Sequence, residues 1–103
     1  IYFKIEKYRE NLKMNQRAIN CFITGRVQGV GFRMATSKKS ESLGITGWVR
    51  NLDDGRVEVY ACGNKAMLGE FRKWLGHGPG MAKVINVECA AADYSETKDF
   101  SIR

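Results

Sequence analysis

"ITGWVRNLDDGRVEVYACG", residues 45–63, reads as two strands about a tight turn. "ITGWVRN", residues 45–51, is β-branched and aromatic, as strands are. "RVEVYACG", residues 56–63, alternates: Val57, Val59 and Ala61 fall on one face, Glu58 and Tyr60 on the other. Between them lies the turn "NLDDG", where Asp54-Gly55 is a strong hairpin signal. A hairpin makes its two strands antiparallel neighbours. That argues against a doubly wound parallel sheet, the other arrangement that alternating strands and helices would allow.

The flanking segments complete the pattern. "AINCFITG", residues 18–25, is a strand ending at Gly25. Residues 33–43 read as a helix, with Phe32, Ala35, Thr36 and Leu43 near one face and "SKKSES" turned outward. Gly44 stands where a left-handed C-terminal cap belongs. Beyond the hairpin, Asn64 can cap a second helix. There Met67, Leu68, Phe71, Trp74 and Leu75 make an apolar stripe that "GHGPG" ends. Residues 82–92 read as a strand and "DFSIR" as a short last one. The order is β-α-β-β-α-β with an added terminal strand. It predicts an α+β domain, a ferredoxin-like sandwich: an antiparallel sheet of four to five strands with two helices packed on one face.

Length and composition set bounds. A chain of 103 residues fits one domain and should bury roughly 65% of its unfolded surface. Residues 1–13 are highly charged and begin with Ile. They are expected to be an N-terminal extension or fusion remnant, with the domain over 14–103. No apolar run approaches the roughly 18 residues of a membrane span, and no leader pattern opens the chain, so no membrane partner is expected. The net charge of +6 favours anionic partners without choosing among them. Cys21, Cys62 and Cys89 are odd in number and lack CxxC spacing, which argues against zinc and against a secreted disulfide framework. Each lies in a strand-like segment, where a free cysteine acts as a small apolar residue. A cytoplasmic location follows. A Cys21–Cys62 bridge would need their strands to be neighbours.

The chemistry concentrates in "GRVQGVGFR", residues 25–33. Gly25, Gly29 and Gly31 allow positive φ and close approach of a ligand. The amides of Gln28, Gly29, Val30, Gly31 and Phe32 can then converge as an anion-binding nest. The following helix adds its N-terminus, and Arg33 adds a planar fork of donors. A phosphate-sized anion suits this cradle. A glycine-rich turn beside an ordinary surface arginine is the alternative on physics alone.

Several phosphate motifs fail on spacing. The loop lacks the GK[ST] ending of a Walker loop, and Met34 occupies the third glycine position of the dinucleotide fingerprint. Cys21 sits mid-strand, too close to Arg26 for a cysteine phosphatase, and reads as core. His77 is the one histidine and reads as a loop residue; Asp53 and Asp54 read as turn residues. With no metal-ligand cluster, cofactor motif or nucleophile set, an enzyme here would need a reactive substrate. Acyl phosphates qualify, because their leaving carboxylate has a pKa of about 4 and departs with little acid help.

"ITGRVQGVGFR", residues 23–33, resembles the acylphosphatase signature, and "GWVRN", residues 47–51, resembles that family's second motif. The "NLDDG" turn, "GPGMAKV" and the closing "FSIR" are similar as well, so the resemblance covers about residues 15–103. It implies a small stand-alone ferredoxin-like enzyme that hydrolyses carboxyl-phosphate bonds without metal or other cofactor. Arg33 would bind the phosphoryl oxygens and stabilise the transition state. The amides of Gln28 to Phe32 would complete the cradle. Asn51 would position the attacking water, since an amide orients water but is a poor base. The partner would be a small-molecule acyl phosphate, the chain a monomer, with no nucleic acid bound. RNA binding through Phe22, Trp48 and Tyr60 on the sheet is the alternative from a different class.

Overall fold

The computed structural model describes residues 16–103, and the expected extension at 1–13 lies outside them. The elements in order are β1 (Gln16–Arg26), α1 (Phe32–Ser42), β2 (Thr46–Asn51), β3 (Val57–Asn64), α2 (Lys65–His77), β4 (Lys83–Ala92) and β5 (Phe100–Ile102). The hairpin forms as its sequence requires. β2 and β3 pair antiparallel, with Asn51 opposite Val57. The turn closes through Leu52 N–H to Arg56 O at 2.8 Å. Asp54 serves the turn: it accepts from Arg56 N at 3.1 Å and from Arg56 Nε at 2.8 Å. Arg56's backbone N–H first, and its side chain second, hold the Asp54 carboxyl below its ordinary pKa.

The sheet order is β4-β1-β3-β2-β5. β1 lies between β3 and β4 and is antiparallel to both. This is the ferredoxin-like arrangement. The fifth strand is a refinement: β5 joins the edge parallel to β2, so the whole sheet is mixed. Parallel pairing follows from the route of the chain. After β4 it crosses from one edge of the sheet to the other before β5 begins, instead of turning back as a hairpin.

Both helices cover one face, where the core sits. Cys21, Ile23, Val49, Val57, Val59 and Ala61 are fully buried from the sheet side, and Phe32, Phe71 and Leu75 from the helix side. Phe71 meets Phe100 edge-on at 6.1 Å between ring centroids. Asn64 caps α2 as its sequence suggests, its Oδ1 accepting from Met67 N at 2.8 Å. One expectation for α1 is corrected. Ser40, inside the "SKKSES" run read as outward, is buried, and its hydroxyl donates to Ser37 O at 2.7 Å. A small hydroxyl can turn inward when the preceding helical turn offers it a carbonyl.

The cysteines also depart from expectation. Cys21 and Cys89 form a disulfide, while Cys62 is free and buried. Register explains both. Cys21 stands directly opposite Cys89 in the β1–β4 ladder. Cys62 stands opposite Ala18, and Cys21 opposite Val59. Positions 59 and 62 differ by an odd step, so their side chains leave opposite faces of the sheet and Cys62 cannot meet Cys21.

The second sheet face is covered by the chain itself. Tyr60 Oη donates to Asp93 O at 2.7 Å, and Thr97 Oγ1 to Thr46 Oγ1 at 2.6 Å. Burial, and next the neighbouring Cys62, push the Tyr60 hydroxyl above its usual pKa. Trp48 stacks on Tyr60 at 5.9 Å. Arg50 and Arg103 lie over Trp48, and Arg56 over Phe22. Glu58, nearly buried, accepts from Arg50 Nε at 2.7 Å and from Asn20 at 3.1 Å.

Candidate active site

The cradle begins where β1 ends. Gly25 lies at a shift of register in the β1–β4 ladder, and a Cβ there would meet Lys83 O at 2.1 Å. Only glycine lets β4 close on β1 at this point, which fixes where the loop departs. Gly29 and Gly31 then take left-handed conformations, φ 73° and 79°, and turn the chain into α1. Gly31 is the N-cap of α1 and brings no side chain to cap it; no acidic residue lies in the first turn. The first helical bond runs from Ala35 N to Gly31 O at 3.0 Å. The N–H groups of Phe32, Arg33 and Met34 precede it and have no partner within the helix. They sit at the positive end of the helix dipole.

Asn51 arrives from the other side of the chain fold, at the last position of β2. It and Arg33 line one cleft of about 220 Å³, together with Gly29 and Gly31. Asn51 Oδ1 is buried and finds no hydrogen-bond partner among the described residues. A buried amide oxygen left unpaired costs about 1–3 kcal/mol, so its placement calls for a donor inside the cleft. Arg33 is half-buried, and its Nη1 donates to Arg103 O at 3.4 Å, a long bond that leaves the other guanidinium donors available.

The residues singled out from the sequence divide clearly. Arg33, Asn51, Gly29, Gly31 and Phe32 line the cleft. Phe32 points its ring into the core against Trp74, so only its backbone can serve a ligand. Val30 packs against the core. Gln28 has a role the sequence did not disclose. Its Nε2 donates to Leu52 O at 2.8 Å and to Arg56 O at 3.0 Å. One side-chain amide thus ties the cradle to both arms of the hairpin, one residue beyond Asn51. His77 ends α2 and does not line the cleft. Phe22, Trp48 and Tyr60 do share a face, yet each is half-buried under the protein's own arginines or aromatic neighbours.

Also missed were Val27, Met34 and Ile102, which complete the cleft wall. Met34's position beside Arg33 is a local signal. Ile102 arrives only because β5 returns to the edge of β2. A second groove, about 400 Å³ and bordered by Arg17, Lys65 and Arg72, lies near the start of β1 and gathers none of the motif residues.

Comparison with known proteins identifies the family. The acylphosphatase family model matches residues 19–102. An acylphosphatase of Halorhodospira halophila is 48% identical over 87 residues, spanning 84% of this chain and 95% of that protein. The solved structure of an acylphosphatase from Coxiella burnetii superposes with a TM-score of 0.86 at 40% identity, covering 88% of this chain and 96% of that one. For the acylphosphatase from Bacillus subtilis the TM-score is 0.80 at 34% identity, covering 84% and 97%. With the family model matched over residues 19–102 and these relatives, 48% and 40% identical, each covered to 95% or more, the chain belongs to the acylphosphatase family of enzymes.

Proposed function

We propose that this chain hydrolyses acyl phosphates to a carboxylate and inorganic phosphate, with Arg33 and the loop amides holding the phosphoryl group and Asn51 holding the attacking water. The observation that carries the reading is the buried, unpaired Asn51 Oδ1 in the same cleft as Arg33 and the uncapped start of α1. The phosphoryl oxygens bind the amides of Gln28 to Phe32 and the fork of Arg33, whose two donors match two oxygens. Asn51 Oδ1 accepts one hydrogen bond from water and turns its lone pair toward phosphorus. The new P–O bond forms as the bond to the acyl oxygen breaks. The carboxylate leaves with the electron pair, and both protons of the water end on the product phosphate. No side chain needs to act as a strong base. Charge on the equatorial oxygens in the transition state is met by Arg33 and the helix dipole, already aligned.

The same division of labour underlies the expectation that no metal is required: the guanidinium supplies the positive charge that a divalent ion would. A monomer is expected as well, because the exposed edge strand β4 carries Lys83 and Glu88, charges that discourage edge-to-edge pairing. Cytoplasmic action is inferred from the substrate, an activated carboxylate formed where phosphoryl donors are made. Cys21 and Cys89 are paired and so do not speak for a reducing compartment. Acid-quenched thiol labelling of the cellular protein would decide their state.

Hydrolysis of acetyl phosphate in ¹⁸O-water tests the route. Attack at phosphorus puts the label in phosphate. Label in acetate would mean attack at the carbonyl carbon, and the role given to Asn51 would be wrong.

A further inference from the structure

The cleft carries its polar groups inside and two apolar side chains at its opening, with Val27 and Phe32 also in its wall. Asn51 Oδ1 is buried and Arg33 half-buried, whereas Met34 is 56% exposed and Ile102 41% exposed. Five large apolar side chains are exposed among the described residues, and two of them meet at this one opening. They come from separate elements, the first turn of α1 and the last residue of β5. Scattered surface apolar residues need no explanation, but a pair converging on a binding cleft marks a contact surface. Arg33 is the only charged side chain lining the cleft among the described residues.

A phosphoryl group held at the polar end leaves its acyl substituent at the mouth. The cleft has a volume of about 220 Å³. It suits a phosphoryl group with a short chain beside it. An apolar acyl group would cover Met34 and Ile102 and remove their surface from water. Methionine's flexible thioether adapts to different chain shapes. An acyl group with its own charge would lose hydration there and meet no opposite charge beyond Arg33, which the phosphoryl group already occupies.

We propose that Met34 and Ile102 form an acyl-binding mouth that selects acyl phosphates with uncharged, apolar acyl groups. The inference rests on the acyl phosphate reading above. The two residues determine specificity and touch the substituent that leaves, not the reacting phosphorus.

The test measures kcat/KM for acetyl, propionyl, butyryl and succinyl phosphate on the wild type and on Met34→Gln/Ile102→Thr. The aliphatic acids are of nearly equal acidity, so a trend among them reads contact and not leaving-group strength. In the wild type kcat/KM rises about two- to fourfold per methylene, fourfold being the limit for full burial. Succinyl phosphate has the chain length of butyryl with a terminal carboxylate, and falls about tenfold or more below it. In the double variant the rise shrinks to about 1.5-fold or less per methylene. The matching 2-oxoalkylphosphonates, which cannot be hydrolysed, repeat the series as competitive inhibitors and read binding alone. A wild type that hydrolyses acetyl phosphate with no rise along the series, or a double variant that keeps the rise, overturns the inference and leaves the proposed function standing. A wild type silent on every acyl phosphate overturns the proposed function, and the acyl-binding mouth with it.

Discussion

On the proposed mechanism Asn51 and Arg33 divide the work between an aligned dipole and a fixed charge, and their variants should fail differently. Arg33→Ala should lower kcat/KM by about 10³-fold or more, through both weaker substrate binding and lost charge compensation. Arg33→Lys should recover only a small part, because an ammonium is a point charge and cannot reach two oxygens as a fork. Steady-state kinetics of the two variants checks this; full activity of the lysine form would show that charge alone suffices. Gln28 acts one step removed. Gln28→Leu should lower stability by about 1–2 kcal/mol in urea unfolding, since two hydrogen bonds to the hairpin vanish while both carbonyls keep a backbone donor. It should lower kcat as well, by loosening Asn51 against the cradle; an unchanged kcat would mean that the hairpin holds its place without the tie. The glycines and Arg33 were legible in the sequence because backbone freedom and charge are local properties. The reach of the Gln28 side chain was not, because its partners lie across a turn that only the folded chain brings near.

Among the elements, the β2–β3 hairpin was the most legible, its turn residues and alternation agreeing on one register. The β1–β4 pairing was the least. Nothing in "AINCFITG" says that the residue 68 positions later will stand opposite Cys21, and the bridge to Cys89 depends on that register alone. The same applies to β5. Its three residues were expected as a strand, but its parallel docking beside β2, which carries Ile102 to the cleft, depends on the path of the connecting chain. The bridge gives an element-scale prediction. Cys21 and Cys89 are 68 positions apart, so opening the bridge frees a long loop in the unfolded chain. Cys89→Ser should cost about 3–4 kcal/mol in urea unfolding. The folded fraction should retain its kcat, because neither cysteine lines the cleft. A loss of kcat without loss of stability would place the bridge in the catalytic machinery.

For the molecule as a whole, the sheet and its two helices form a rigid frame that brings three separate stretches of chain to one cleft: the glycine loop after β1, the end of β2 and the last strand. On the second face Trp48 lies under Arg50 and Arg103, and Tyr60 is bonded to the chain after β4. The net charge of +6 assists the approach of a phosphorylated substrate, and rising ionic strength should lower kcat/KM accordingly. The proposed mechanism has Asn51 align water while Arg33 and the amides hold phosphate. Its most direct test is hydrolysis of acetyl phosphate in excess chelator by the wild type and by Asn51→Ala, with inorganic phosphate binding measured on both. The wild type should turn over rapidly with chelator present. Asn51→Ala should lose about 10²- to 10³-fold in kcat, with phosphate affinity nearly retained. Normal turnover by Asn51→Ala, or a wild type silenced by chelator, would contradict the mechanism.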